Sequence, residues 1–146
     1  LSKDEESPGD VMPEELTDEE RNEFVGLEKR VIELENNVLI LNISLSRKLN
    51  RRTGVSTYVF GYRQDRDFGD MPKICVKLGI NSWSIYDGRH RLSRNSVKVE
   101  RNRDGIKIYF PMDLLGGPEY ILTSARTYLE DISLDRFSWR ILEISK

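Results

Sequence analysis

Residues 31–45 constrain this chain most, because they satisfy two incompatible patterns at once. Phe24, Leu27, Val31, Leu34, Val38, Leu41 and Leu45 recur at three- and four-residue steps, the seam of a coiled coil. The same stretch also reads as two strands, 31–35 and 38–45, joined at Asn36-Asn37. The apolar residues outside the seam separate the readings. With Val31 and Val38 at a, and Leu34 and Leu41 at d, a helix leaves Ile32, Leu39, Ile40 and Ile43 in water. A two-residue turn instead sets Leu34 against Leu39, Ile32 against Leu41 and Arg30 against Ile43, so one face is almost wholly apolar. The other holds Glu33, Glu35, Asn42 and Ser44. Val and Ile fit a pleated surface, and paired Asn residues suit positive φ. The expectation is a hairpin with Ile32, Leu34, Leu39, Leu41, Ile43 and Leu45 facing a core.

Turn signals then punctuate short alternating segments to the end of the chain, as in an all-β sandwich or barrel. Residues 55–62 set Val55, Thr57 and Val59 against Tyr58, Phe60 and Tyr62. Residues 73–80 put Ile74, Val76, Leu78 and Ile80 on one face, and a turn at Asn81-Ser82 returns Trp83 and Ile85 to it. Val97 and Val99 are answered across Arg103-Asp104-Gly105 by Ile106, Ile108 and Phe110. Residues 112–118 allow at most one helical turn, and 120–129 and 137–144 read as two last strands. Eight or nine strands in so short a chain imply two packed antiparallel sheets, with either a jelly-roll or a related topology.

Charge divides the chain before any fold is assigned. Residues 1–23 carry −8 and the remainder +6, within a net charge of −2. This acidic leader holds Pro8, Gly9 and Pro13 and few apolar residues, so it is expected to be irregular or partly helical, with a short helix over 13–21. Residues 24–146 form the sandwich domain. The leader's sharper reading is a tail that folds back on the basic body or holds a cation. Cys75 is the single cysteine, read as a small buried hydrophobe. No stretch is apolar enough for a membrane helix. The start at Leu1 suggests that a leader peptide or a larger parent protein has been removed.

The opening Asp4-Glu5-Glu6-Ser7-Pro8-Gly9-Asp10, the 31–45 hairpin, the phrase Gly105-Ile106-Lys107-Ile108-Tyr109-Phe110-Pro111-Met112-Asp113-Leu114-Leu115-Gly116 and the closing 131–139 corner resemble the DOMON-like β-sandwiches. That group includes the family-nine carbohydrate-binding modules. The resemblance covers most of the chain as a cadence without a diagnostic motif. It implies a non-catalytic domain, exported or surface-attached, that binds sugars, haem or neighbouring domains. The acidic insert between Asp10 and Phe24 departs from the group's pattern.

Catalysis finds little support in the residues. His90 is the one histidine, flanked by Arg89 and Arg91, so any Ser-His-Asp arrangement would have to use it. No Gly-rich phosphate loop, HExxH or paired CxxC occurs. Asp65, Asp67 and Asp70 surround Gly69 with oxygen donors that suit calcium, although Arg66 interleaves and an EF-hand's terminal glutamate is missing. Asp131 and Asp135 could bind a cation or make Asx turns. Trp83, Tyr86, Tyr58, Tyr62 and Trp139 offer flat faces for sugar rings, with Arg89 and His90 to orient them. Parity favours Tyr62 and Tyr86 as exposed and Trp83 as core. The resemblance also admits haem ligation by His90 with Met71 or Met112, on no more than three unlinked residues.

Two basic runs, Arg47/Lys48/Arg51/Arg52 and Arg89/Arg91/Arg94/Lys98/Arg101/Arg103, make nucleic acid the rival ligand. Asp87, Glu100 and Asp104 dilute the second run, and no RNP-like phrase accompanies it. Asn42-Ile43-Ser44 is a glycosylation acceptor triplet. The expected function is a non-enzymatic ligand-binding or structural module of an exported or surface protein, with carbohydrate or neighbouring domains as partners. The alternatives are a basic β-domain for nucleic acid and a coiled-coil assembly segment with a small β head.

Overall fold

The structure, a computed structural model, describes residues 16–144. Asn36 and Asn37 take φ values of 51° and 62°, which lets a two-residue turn join β1 (Leu27–Glu35) to β2 (Val38–Leu45). The register is the one the apolar residues require: Leu34 opposite Leu39, Ile32 opposite Leu41 and Arg30 opposite Ile43. Ile32, Leu39, Leu41, Ile43 and Leu45 are buried, so no zipper seam exists here. Leu34 differs from expectation at 41% exposure. It sits at the tip of an edge strand, where the facing sheet no longer covers it.

The remaining strands are β3 (Thr53–Tyr62), β4 (Lys73–Leu78), β5 (Trp83–Asp87), β6 (His90–Leu92), β7 (Lys98–Arg101), β8 (Gly105–Pro111), β9 (Tyr120–Leu129), β10 (Ile132–Arg136) and β11 (Arg140–Glu143). They form two antiparallel sheets, one ordered β1-β2-β8-β7 and one ordered β10-β9-β3-β4-β5-β6, with β11 also on β9. The protein is therefore an all-β, two-sheet structure. Val55, Val59, Ile74, Val76, Ile85, Ile121 and Ala125 of the larger sheet share one core with the inner residues of the smaller. Burying such side chains is the main driving force for the fold, at roughly 1.5–3 kcal/mol for each large one.

Arg30 is the unusual member of that interior. It is 1% exposed, with its guanidinium 4.7 Å from the Phe137 ring and Nη1 donating to the Thr123 carbonyl at 3.0 Å. Burial, with help from the charge of Arg140, lowers its pKa to about 10, so it stays protonated at neutral pH. It ties the edge strand β1 of the small sheet to β9 of the large one.

Three local departures have simple causes. β4 ends at Leu78, which pairs with Trp83, so the turn spans Gly79 to Ser82 rather than Asn81-Ser82 alone. Ile80 thereby leaves the core face and is 44% exposed, while the two-residue shift keeps Trp83 and Ile85 on the expected side. Where a corner and then one strand over 137–144 were expected, the chain makes β10 within the corner, with a bulge between Ser133 and Asp135, and β11 begins only at Arg140. Cys75 falls on the outer face between Lys73 and Lys77 and is only half-buried, with its thiol pushed up by burial.

The helix α1 (Asp18–Asn22) starts later than expected, because Thr17 and Glu20 cap it reciprocally. Arg52 holds it down, reaching Glu23 at 2.5 Å, Glu19 at 3.5 Å and Glu130 at 3.1 Å. Leu16 packs with Leu129 and Leu134 in a small second cluster. The Asp4 to Asp10 opening, the start of the expected 13–21 helix and the folded-back tail lie outside the described residues. Among the described residues, no helix is long and apolar enough to cross a membrane.

Candidate functional site

Strand alternation builds the site on the outer face of the larger sheet. Since Val55, Thr57 and Val59 point inward, Ser56, Tyr58, Phe60 and Tyr62 point outward on β3. On β9 the same rule turns Tyr120, Leu122, Arg126 and Tyr128 outward, and the register sets Tyr62 beside Tyr120 and Phe60 beside Leu122. The rings touch in sequence: Tyr120 to Tyr62 at 6.0 Å between centroids, Tyr62 to Phe60 at 6.5 Å and Phe60 to Phe68 at 5.3 Å. Tyr58 meets Trp139 at 6.3 Å. Trp139, Phe68, Tyr120 and Ile141 are 55%, 66%, 38% and 65% exposed, an apolar platform wider than scattered single side chains produce.

Within the platform, Tyr58, Phe60, Phe68, Lys73 and Trp139 enclose a hollow of about 240 Å³. Lys73 Nζ lies 4.4 Å from the Phe68 centroid and donates to the Met71 carbonyl at 2.9 Å, which fixes the 63–72 loop against the sheet. A second hollow of about 370 Å³ follows beyond Tyr58, past Lys77, Arg126 and Tyr128. Arg126 donates to Tyr58 Oη at 3.3 Å and Ser56 to Tyr128 Oη at 3.1 Å, so both phenols are held in place. A third cleft of about 480 Å³ shares Lys77 and Tyr128 with the second and runs on to Arg51, Arg91 and Arg94. Gly54 lets the Tyr128 ring lie flat at this boundary, since a Cβ there would come within 2.8 Å of the ring.

The residues expected as a ligand site do not gather in one place. Tyr62 and Tyr86 share the outer face with β4 between them, and Lys77 Nζ sits 5.3 Å from the Tyr86 centroid. Trp83 faces the other way, packs on the core and lies 6.0 Å from the Arg94 guanidinium. Arg89 and His90 are exposed at the turn around Gly88, away from the aromatic row. Met71 is buried and Met112 packs on the core. Asn42 is half-buried on the outer face of the smaller sheet, between Val31 and Lys107.

For the aspartates, Asp65 is gripped by Arg63 through bonds of 2.9 Å and 2.7 Å, which hold its carboxyl below the usual range. Asp67 precedes a short 3-10 turn over Phe68–Asp70. Among the described residues, no three metal-ligating side chains come together as a set able to hold an ion. Asp131 is exposed at the β9–β10 turn. Asp135 accepts from the backbone N–H of Leu27 at 2.8 Å and of Arg136 at 2.9 Å, which joins β10 to the start of β1.

Sequence reasoning set Phe60 on one face with Tyr58 and Tyr62 but missed Phe68, Tyr120, Tyr128, Lys77 and Ile141 as members of it. The available signal was the pair of alternating runs at 54–62 and 120–128, once placed side by side. No family model matches the chain, and no curated protein matches it significantly.

Proposed function

We propose that this chain is a non-catalytic binding module that holds a carbohydrate against the aromatic outer face of its larger sheet, within an exported or surface protein. The observation that carries the reading is the contiguous row Tyr120, Tyr62, Phe60, Phe68 with Tyr58 and Trp139 beside it, solvent-facing and braced from below. Flat apolar rings stack on the C–H faces of sugars, and neighbouring polar groups such as Arg126 and Lys73 orient the hydroxyls. A DOMON-like relationship would fit this use of a sandwich face. The single histidine, His90, opens β6 at an exposed position away from the aromatic row.

The test is titration of the full chain with a panel of neutral and acidic polysaccharides, followed by calorimetry and tryptophan fluorescence. Binding to at least one polymer, weakened about tenfold or more in Trp139→Ala with unchanged thermal midpoint, is the expected result. Failure to bind any of them overturns the reading.

A further inference from the structure

The aromatic platform continues into a cleft of opposite character. Arg51, Lys77, Arg91 and Arg94 line it together with the Tyr128 ring, the edge of the core-packed Trp83 and the mutually paired Arg52 and Glu130. Arg51, Arg91, Arg94 and Lys77 are all exposed, and none stands in an ion pair among the described residues. Arg52, at the same rim, is by contrast already saturated by Glu19, Glu23 and Glu130. The cleft therefore concentrates positive charge that the protein itself leaves unneutralised, and apposed like charges favour a bound anion.

The rim is also built to keep its shape. Arg101 reaches across from β7 and donates to the carbonyls of Ile80 at 3.1 Å and Ser82 at 3.0 Å, clamping the β4–β5 turn that closes one side. Gly54 seats Tyr128 on the other side.

We infer that the bound carbohydrate is an acidic polysaccharide, whose sulfate or carboxylate groups occupy the cleft of Arg51, Lys77, Arg91 and Arg94 while its rings lie along the aromatic row. This rests on the carbohydrate-binding reading and names its ligand class. The shared wall residues Lys77, Tyr128 and Tyr58 make the three hollows one track, so a single chain can occupy both ends. A single-stranded nucleic acid fits less well. The middle of the track is flanked by Glu130 and Asp131. Sugar hydroxyls can donate to those carboxylates, whereas phosphodiester oxygens can only accept.

The experiment compares the full chain with Arg91→Gln/Arg94→Gln and with Trp139→Ala. Four probes are used: a neutral β-glucan, polygalacturonate, dextran sulfate and a single-stranded DNA of matched length and charge. Affinities are taken at several salt concentrations, with thermal midpoints as the folding control. The expected result is preference for the acidic polymers and affinity that falls with salt. The double variant should lose about tenfold or more on the acidic polymers, with a shallower salt slope and an unchanged midpoint. Equal binding of neutral and acidic polymers, unaffected in the double variant, overturns the acidic-ligand inference and leaves the module reading standing. DNA bound as tightly as the acidic polysaccharides transfers the site to nucleic acid. No binding to any probe overturns both readings. Should the double variant lower the midpoint, Lys77→Gln, on a solvent-facing strand position, replaces it and is held to the same outcomes.

Discussion

The two sheets turn very different faces to solvent. On the smaller one, the exposed charges close on each other: Tyr109 donates to Glu100 at 2.7 Å, Lys98 reaches Glu100 at 3.3 Å, and Lys98 and Lys107 lie 5.1 Å and 5.5 Å from the Tyr109 centroid. Glu100 is held below the usual carboxylate range by the Tyr109 and Lys98 bonds. On the larger sheet, aromatic rings pack edge to face or tilted against one another, and four cations stand without carboxylate partners among the described residues. Cross-strand pairs of the first kind stabilise a sheet locally. The second arrangement leaves stacking surface and charge available to another molecule. Both faces follow from the same alternation, so the difference lies in the residues chosen for outward positions.

The strongest way to break this contrast is to uncouple the sheets themselves. Arg30→Ala removes a buried stem, its contact on Phe137 and its bond to Thr123, and should cost about 3 kcal/mol in chemical denaturation. Arg30→Met keeps the stem without the charge and should stay within about 1 kcal/mol of the parent, because a buried guanidinium carries a large desolvation cost. If both variants lose equally, the charge and not the packing joins the layers.

Gly54→Ala attacks the large face alone. Its Cβ would push on the Tyr128 ring and on the Leu78 carbonyl, 3.0 Å away, for a loss of about 1–3 kcal/mol. Affinity for the acidic polymers should fall with it, and retained affinity would show that the position of Tyr128 does not matter to the cleft.

Asp135 tests the β10–β1 junction through pH. Burial raises its pKa against the opposing pull of the Leu27 and Arg136 N–H bonds, so the folded chain holds this proton to higher pH than the unfolded chain does. Its contribution is then greatest below the unfolded value and declines as pH rises through the folded one. Relative to Asp135→Asn, the parent should gain stability as pH falls through that window, and a flat difference would contradict the shift. Asp135→Ala, which strips both acceptors, should cost about 1–2 kcal/mol at neutral pH.

The smallest effect belongs to the small face. Glu100→Gln should move the thermal midpoint by little more than its measurement error, since exposed pairs contribute little. It should leave ligand affinity unchanged. A loss of binding there comparable to Trp139→Ala would abolish the distinction between the faces.

Much of this was legible in the residues. The Asn36-Asn37 turn and the need to place Ile32, Leu39, Leu41 and Ile43 were enough for the hairpin and its register. β10 was not, because Leu134 is fully buried while the bulge beside it destroys any alternation. Leu34 and Ile80 were misplaced for different reasons: coverage by the other layer ends before the tip of β1, whereas Ile80 falls in a turn longer than the two residues expected. Tyr58, Tyr62 and Trp139 stood out singly as stacking residues. Their union depends on β9 lying between β3 and β11, a neighbourhood set by long-range pairing that local pattern does not encode.

The edge of β9 is shared end to end by β10 and β11, while its other side pairs with β3 along all ten residues. The four residues of β11 can therefore peel away without opening the sheet, and Trp139 and Ile141 travel with that segment. Amide exchange at Arg140 to Glu143 should run ahead of exchange in β9, and a ligand gripping Trp139 should slow it. One side of the binding platform is hung on a short edge strand, so part of any affinity is spent on keeping that strand shut.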